Sequence, residues 1–292
     1  MRRTASHVLA VVTLVVALSA CGGSGDDGGD AASTTTAAAA GAQASTTAQT
    51  TTTAAASAEP VAVLVTNDDG YQAEGIDALV EALREVDGVE VTVVAPLDQR
   101  SGTGGKTTPG KLAVTDVKLA SGYRAKAVDG FPADTIRVAL DELGVEPDVV
   151  ISGINAGQNL GPVVDLSGTV GAARAAVDKG IPALAASQGA GNPFDYPAAV
   201  PYVLDWLEDF RAKAAKGAEA NLDHVDNLNV PTCATGEVRG LLDVPAQLGG
   251  DVAKALAAAE CTSSAPKSDL ADDVAAFGAG YATLDEIPAM AA

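Results

Sequence analysis

Two adjacent carboxylates, Asp68 and Asp69, follow an apolar run that ends at Thr66. Neighbouring carboxylates repel each other, and aspartate is disfavoured both in strands and in helix interiors. A divalent cation makes such a pair favourable, because its charge outweighs the repulsion and keeps both groups ionised. Taken alone, the pair also fits a turn or a helix N-cap. The metal interpretation therefore depends on the other side chains that reach the same place.

Two further turns supply oxygen ligands. Ser101 lies in the turn DQRSG after the apolar run VTVVAP, and Asn155 lies in the turn GINAG after the run DVVIS. In an open parallel sheet the carboxyl ends of the strands share one edge, so these turns are expected to meet. Two carboxylates, a hydroxyl and an amide carbonyl are hard ligands that suit Mg²⁺, Mn²⁺ or Ca²⁺.

A predicted helix at residues 168–179 offers an anion site beside these ligands. The backbone N–H groups and the dipole at a helix N-terminus attract phosphate, and Ser167 and Thr169 add hydroxyl donors. Ser167 is also an ordinary N-cap, and capping does not exclude phosphate binding. A cation next to an anion site indicates a phosphate ester that is held for attack by an activated water.

Alternating strands and helices position these turns. Runs rich in valine, isoleucine and leucine, separated by amphipathic segments, indicate an α/β fold with a doubly wound, mostly parallel sheet covered on both faces. Beyond Pro231 the pattern weakens, and we interpret that part as an appended C-terminal segment with an alanine-rich helix near residues 251–260. The predicted strands are residues 61–66, 89–95, 112–118, 124–128, 148–152, 183–187 and 227–230, and the predicted helices are residues 76–86, 132–143, 168–179 and 197–215.

The first 21 residues have the features of an export signal. Arg2 and Arg3 precede an apolar stretch that is too short to span a membrane as a finished helix. The stretch closes as LSAC, which resembles the lipobox of bacterial lipoproteins, so we predict that Cys21 is lipidated and anchors an exported protein to the cell envelope. Residues 22–58 lack apolar periodicity and are predicted to be a disordered Gly/Ser/Thr/Ala linker to one globular domain at residues 59–292.

Charge and histidine content exclude several functions. The formal net charge of −20 disfavours nucleic acid as a partner, since its phosphates would be repelled. The chain has two histidines, and His7 would leave with the signal. A zinc site with several histidines is therefore excluded, and a Ser-His-Asp relay would have to use His224, which has no nucleophile elbow nearby.

The ordered motifs resemble those of the SurE (stationary-phase survival protein) family of metal-dependent nucleotide phosphatases. The similarity covers about residues 61–190, with a weaker match at NLNVP. Its motifs are VTNDDG, APLDQRSG, GFPADTIRVAL, PDVVISGINAGQNLG, SGTVGAA and GIPALAAS.

This resemblance implies a Rossmann-like nucleotidase domain, assembled as a homodimer or tetramer, that uses Mg²⁺ or Mn²⁺ to release phosphate from nucleoside monophosphates as a 5′-nucleotidase does. It implies catalytic roles for Asp68 and Asp69, with Asp68 orienting or deprotonating the attacking water. Carried over by motif, the metal ligands are Asp68, Asp69, Ser101 and Asn155, and the phosphate contacts are Ser167, Gly168 and Thr169, with Asn67 and Asn159 nearby.

The C-terminal part departs from the family pattern. The family's GTR-like and GYVSITPL-like stretches survive only as degraded matches at residues 236–239 and 280–284. Substrate preference and assembly are therefore left open by the resemblance. A lipoprotein that binds a nucleotide or another anion without turnover is the alternative.

The chain has three cysteines, and one of them suggests a different phosphatase mechanism. Cys233, Gly236 and Arg239 match the C-x-x-G-x-x-R spacing of phosphatases that attack phosphorus with a thiolate. Thr232 stands where those enzymes usually have histidine, and nearby proline and glycines leave little room for the helix that should follow. In an exported protein, Cys233 and Cys261 are instead predicted to form a disulfide.

Overall fold

The computed structural model describes residues 60–290. The predicted signal, the predicted lipidation site Cys21 and the predicted linker lie outside the described residues. Within residues 60–290, nine strands form one sheet with the order β3-β4-β2-β1-β5-β6-β7-β9-β8. In the same part of the chain, no helix is both long and apolar enough to cross a membrane.

The elements follow the predicted alternation. The strands are β1 (Val61–Thr66), β2 (Val89–Pro96), β3 (Val114–Lys118), β4 (Arg124–Val128), β5 (Val149–Ala156), β6 (Ala183–Gln188), β7 (His224–Val230), β8 (Leu241–Asp243) and β9 (Ala282–Pro288). The helices are α1 (Glu74–Arg84), α2 (Pro132–Arg137), α3 (Gly168–Asp178), α4 (Tyr196–Ala215), α5 (Val252–Ala255) and α6 (Asp273–Gly278).

The centre of the sheet is parallel, as predicted. β4, β2, β1, β5, β6 and β7 run in the same direction, and β3 pairs with β4 in antiparallel fashion. Consecutive side chains of a strand point to opposite faces, and β1 shows this directly. Val63 and Val65 pack in the cluster that contains Ile76 of α1, whereas Leu64 packs in the cluster that contains Val170 of α3. Both faces are therefore covered, which confirms the α/β prediction.

β5 is longer than the sequence predicts and is irregular. It continues to Ala156, and its register against β6 shifts between Ser152 and Asn155. Such a bulge bends a strand and re-aims the side chains that follow. Asn155 therefore lies on the strand itself and not in a loop after it.

The C-terminal segment joins the sheet. β9 pairs antiparallel with β7, and the short β8 pairs with β9. The sequence of β9 contains Asp285 and Glu286, which disfavour strands, so periodicity alone missed it. The predicted helix near residues 251–260 is present only as the four-residue α5.

Candidate active site

The four predicted metal ligands lie at the carboxyl edge of the parallel strands. Asp68 and Asp69 follow β1, Ser101 follows β2, and Asn155 lies near the end of β5. Short contacts join the three segments. The backbone N–H of Arg100 donates to the carbonyl of Asp68 at 2.6 Å, and that of Ala156 donates to Asp69 Oδ2 at 2.9 Å. The structure thus places Asp68 beside the turn that carries Ser101, and Asp69 beside the end of β5 that carries Asn155.

Asp68 is almost fully buried, with 2% of its surface exposed. Thr169 Oγ1 donates to Asp68 Oδ1 at 2.8 Å. Burial and the charge of Asp69 raise the pKa of Asp68 to about 6, while hydrogen bonds from Thr169 oppose the increase. A charged group placed where ionisation is disfavoured needs a compensating charge. A divalent cation would offset both the burial and the repulsion.

Asp69 is half-buried and faces the other two turns. Burial raises its pKa, whereas hydrogen bonds from the Ala156 N–H and the Ser101 hydroxyl lower it. Ser101 Oγ in turn accepts a hydrogen bond from Gln99 Nε2 at 2.9 Å. The carboxylate of Asp69 and the hydroxyl of Ser101 are therefore within reach of a common ligand.

Asn155 is buried, and its amide has one atom left for a ligand. Its Nδ2 donates to the carbonyl of Gly157 at 2.6 Å, which leaves Oδ1 as the atom that could bind a cation. A second amide oxygen, Asn67 Oδ1, is buried and has no hydrogen-bond partner among the described residues. A buried acceptor without a partner is costly, so the Asn67 oxygen fits a site that holds a cation or a donor. The residues present therefore fit the implied metal.

The N-terminus of α3 lies directly against Asp68. Ser167 is its N-cap, with Oγ accepting from the backbone N–H of Val170 at 3.1 Å. A Cβ added to Gly168 would lie 2.8 Å from Asp68 Cβ and 2.9 Å from Asp68 Oδ2. A phosphate bound at this helix N-terminus would therefore lie beside any cation held by the carboxylates.

The loop after β2 packs on the same helix. A Cβ on Gly171 would collide with the backbone carbonyl of Gly104, and the Gly104 N–H donates to the Leu166 carbonyl at 3.0 Å. Glycine is needed at position 171 because the two backbones touch. This contact fixes the loop that carries Ser101 relative to the N-terminal part of α3.

The side chains of Asn67 and Asn159, predicted to lie near the phosphate, make hydrogen bonds within the protein. Asn67 Nδ2 donates to the Gly70 carbonyl at 2.9 Å. Asn159 Nδ2 donates to Ser187 Oγ at 3.0 Å, and its backbone N–H donates to Asn229 Oδ1 at 2.7 Å. Both side chains use their NH₂ groups on protein atoms. Their visible role is to hold the turns in which they lie.

Sequence reasoning missed the support that the C-terminal segment gives to the loop after β5. Asp273, which is fully buried, accepts from the backbone N–H of Gly161 at 2.7 Å. Gln158 Nε2 donates to the carbonyls of Ala255 and Ala257 at 3.2 and 3.0 Å. These partners are about a hundred residues apart in the chain, so no local sequence pattern predicts the contacts. The segment steadies the loop next to Asn155.

The cysteines and Arg239 do not assemble a thiolate phosphatase site. The structure places Cys233 and Cys261 in a disulfide, with Cα atoms 5.7 Å apart. Arg239 Nη1 donates to the carbonyl of Ala279 at 3.0 Å, and its guanidinium lies 4.5 Å from the ring centroid of Tyr281. A clamp for phosphate oxygens would need that guanidinium beside a free thiol.

Comparisons with known proteins point to one family. The model of the family described as "Survival protein SurE" matches residues 63–249. The 5′-nucleotidase SurE of Brevibacillus brevis is 41% identical over 194 residues, which cover 64% of this chain and 71% of that protein. The 5′-nucleotidase SurE of a Synechococcus species is 39% identical over 184 residues, covering 62% and 69% of the two chains.

A solved structure shares the fold. The SurE protein from Aquifex aeolicus superposes with a TM-score of 0.60 and 23% identity, covering 79% of this chain and 94% of that one. At this level of identity the likeness establishes the architecture alone. It is consistent with the nine-stranded α/β sheet described above.

Proposed function

The chain belongs to the SurE family, and from this premise we propose that it is a metal-dependent 5′-nucleotidase that releases phosphate from nucleoside monophosphates. The observation that carries the proposal is the contact between Asp68 and the first turn of α3. Thr169 Oγ1 lies 2.8 Å from Asp68 Oδ1, and Gly168 has no room for a side chain against that carboxylate. A predicted cation ligand and a helix N-terminus that could bind an anion therefore lie next to each other.

Asp68, Asp69, Ser101 and Asn155 would hold the cation, Mg²⁺ or Mn²⁺. When bound, such an ion supplies positive charge for the phosphate oxygens and makes a water molecule easier to deprotonate. The backbone N–H groups of Gly168 and Thr169, with the Ser167 hydroxyl, would bind the phosphate. We assign to Asp68 the role of orienting the attacking water or accepting its proton. The hydrogen bond from Thr169, which holds the Asp68 carboxylate beside the helix N-terminus, supports this assignment.

A phosphate-release assay tests the proposal. We expect hydrolysis of adenosine and guanosine monophosphates with Mn²⁺ or Mg²⁺, inhibition by EDTA, and no turnover by Asp69→Asn. Iodoacetamide should have no effect, since the cysteines do not take part. Nucleotide binding without turnover, in a folded and metal-loaded protein, would favour the alternative of a non-catalytic binding lipoprotein. Loss of activity on alkylation would instead implicate Cys233.

A metal-binding titration tests the ligand set separately. Asn155→Ala removes the amide oxygen and should weaken Mn²⁺ binding. Gln99→Ala removes a neighbour whose side chain donates a hydrogen bond to Ser101, and should weaken it less. Unchanged Mn²⁺ affinity in Asn155→Ala would remove this residue from the ligand set.

We also propose that the protein is exported and lipid-anchored to the bacterial cell envelope, and that it assembles as a homodimer or tetramer. The anchor rests on the basic residues Arg2 and Arg3, the apolar stretch after them and Cys21 at the end of LSAC. The assembly rests on the family resemblance. Light scattering of the purified protein would give the subunit number.

A further inference from the structure

A second cluster of potential metal ligands lies at the other end of the sheet. β7 runs parallel to β1, so His224 at its start lies at the edge opposite to Asp68. Ligand atoms of His224, Asp226 and Glu286 all lie within 4.8 Å of one another. His224 Nε2 is 3.2 Å from Asp226 Oδ1 and 3.6 Å from Glu286 Oε1. One ion could contact all three side chains.

The sheet itself places these side chains on one face. His224 and Asp226 are two residues apart on β7, and Asp226 pairs directly with Glu286 of the antiparallel β9. Like charges directly opposite each other destabilise a strand pair. A cation between Asp226 and Glu286 would turn this repulsion into attraction, as would a charged His224.

Trp206 holds Asp226 in the orientation that a metal ligand needs. Its Nε1 donates to Asp226 Oδ2 at 2.7 Å, whereas Oδ1 is the oxygen that faces His224. Carboxylate ligands of metals are commonly fixed in this way by a hydrogen bond to the oxygen that does not bind the ion. The arrangement leaves Asp226 Oδ1 directed at the place where the three residues meet.

The surroundings of the cluster attract cations. The three residues line a cavity of about 710 Å³ whose described lining includes eight Asp and Glu residues but a single lysine, Lys213. A concave surface with one sign of charge concentrates ions of the opposite sign. Glu286 has 69% of its side chain exposed, so an ion can reach the cluster from solvent.

We propose that His224, Asp226 and Glu286 form a second divalent-cation site, distinct from the one at the carboxyl edge. One imidazole and two carboxylates, with a position open to water, suit Zn²⁺ and similar transition metals better than Mg²⁺, which favours oxygen ligands alone. This site does not depend on the proposed nucleotidase activity.

The single tryptophan of the chain gives a local readout of this site. Because Trp206 touches Asp226, Co²⁺ bound there should quench its fluorescence, and Zn²⁺ should compete and restore the emission. In the Asp226→Asn, Glu286→Gln double variant we expect Co²⁺ affinity to fall by about 10–100-fold or more. Asp209→Asn, another carboxylate of the same cavity, is the matched control and should change affinity far less. Asp69→Asn at the opposite edge should leave the quenching curve unchanged.

Histidine NMR provides an independent readout. The chain has two histidines, so in protein labelled with ¹³C-histidine the signal that disappears in His224→Gln identifies His224. Zn²⁺ should shift that signal and leave the His7 signal, if present, unmoved. The proposal is overturned if Zn²⁺ leaves His224 unshifted, or if the double variant binds Co²⁺ as tightly as the wild type. Glu286→Gln alone changes an exposed side chain and keeps the test valid if the double variant misfolds.

Discussion

At the scale of single residues, the hydrogen bond between Thr169 and Asp68 links the two halves of the candidate active site. The sequence predicted Thr169 as a phosphate contact, but its hydroxyl donates to Asp68 Oδ1. Thr169 is fully buried, and Asp68 is almost so. A hydrogen bond to a charged group in such a place is stronger than one between neutral groups. Thr169 therefore acts by positioning Asp68, because both its hydroxyl and its backbone N–H donate to that carboxylate.

Thr169→Val should weaken catalysis without changing the fold. Valine has a similar shape but cannot donate to Asp68, so we expect metal affinity or kcat to fall by about 10–100-fold, as is usual when a partner of a metal ligand is removed. Thr169→Ser keeps the hydroxyl and should retain most of the activity. Phosphate release and Mn²⁺ titration measure both effects. Wild-type activity and Mn²⁺ affinity in Thr169→Val would show that the hydrogen bond to Asp68 does not matter.

Gly168→Ala should damage the site more than it damages stability. The added Cβ would lie 2.8 Å from Asp68 Cβ and 3.1 Å from Pro132 Cγ, so Asp68 has to move. Gly105→Ala in the neighbouring loop is the control, because a Cβ there meets nothing within 4 Å. Thermal unfolding and phosphate release, measured on the same samples, separate the two effects. Wild-type activity in Gly168→Ala would contradict the close contact.

The ends of the strands explain how much of the site could be predicted. Asp68, Asp69 and Ser101 follow recognisable apolar runs, so the rule for parallel sheets sufficed to bring them together. The bulge that aims Asn155 and the amide network around Asn159 could not be read in this way, since both depend on pairing with β6 and β7. Contacts between residues far apart in the chain do not alter the local spacing of apolar residues, so that spacing cannot predict them.

At the scale of elements, the C-terminal segment supports the loop after β5. Phe277 of α6 and Ala255 of α5 pack against Leu160, in the loop after β5. Asp273, at the start of α6, binds the backbone of the same loop. The segment has few apolar residues in periodic order, so local patterns could not predict its position in the fold. Its short helices are stable because they pack and because the disulfide restrains the chain between β7 and α6.

The disulfide should account for much of the stability of that segment. Cys233 and Cys261 are 28 positions apart, and closing a loop of this length in the unfolded chain corresponds to ~3–4 kcal/mol in the chain-entropy model. The Cys233→Ser, Cys261→Ser double variant should therefore unfold about 10 °C lower. Scanning calorimetry measures the difference, and the wild type under reducing conditions should behave in the same way. A double variant as stable as the oxidised wild type would exclude this contribution.

At the scale of the whole molecule, the two proposed cation sites differ in their ligand atoms and in the charge around them. The carboxyl edge offers the oxygen ligands predicted from the sequence, next to the N-terminus of α3, where the helix dipole attracts anions. The opposite edge offers an imidazole in an acidic cavity, which has no comparable anion cradle among its described residues. Ligand chemistry therefore predicts Mg²⁺ or Mn²⁺ at the first edge and Zn²⁺ at the second. The formal net charge of −20 favours cations throughout and disfavours nucleic acid.

The proposed anchor predicts where this domain works, and one substitution tests it. If Cys21 carries the lipid, Cys21→Ser removes every acyl chain, and an interfacial tether cannot hold without them. We expect the variant in the soluble fraction and the wild type in the membrane fraction after ultracentrifugation. Ser24→Ala, three positions along, keeps the lipobox and should stay with the membrane. Membrane association of Cys21→Ser would mean that another part of the chain binds the membrane, and the lipoprotein assignment would then be wrong.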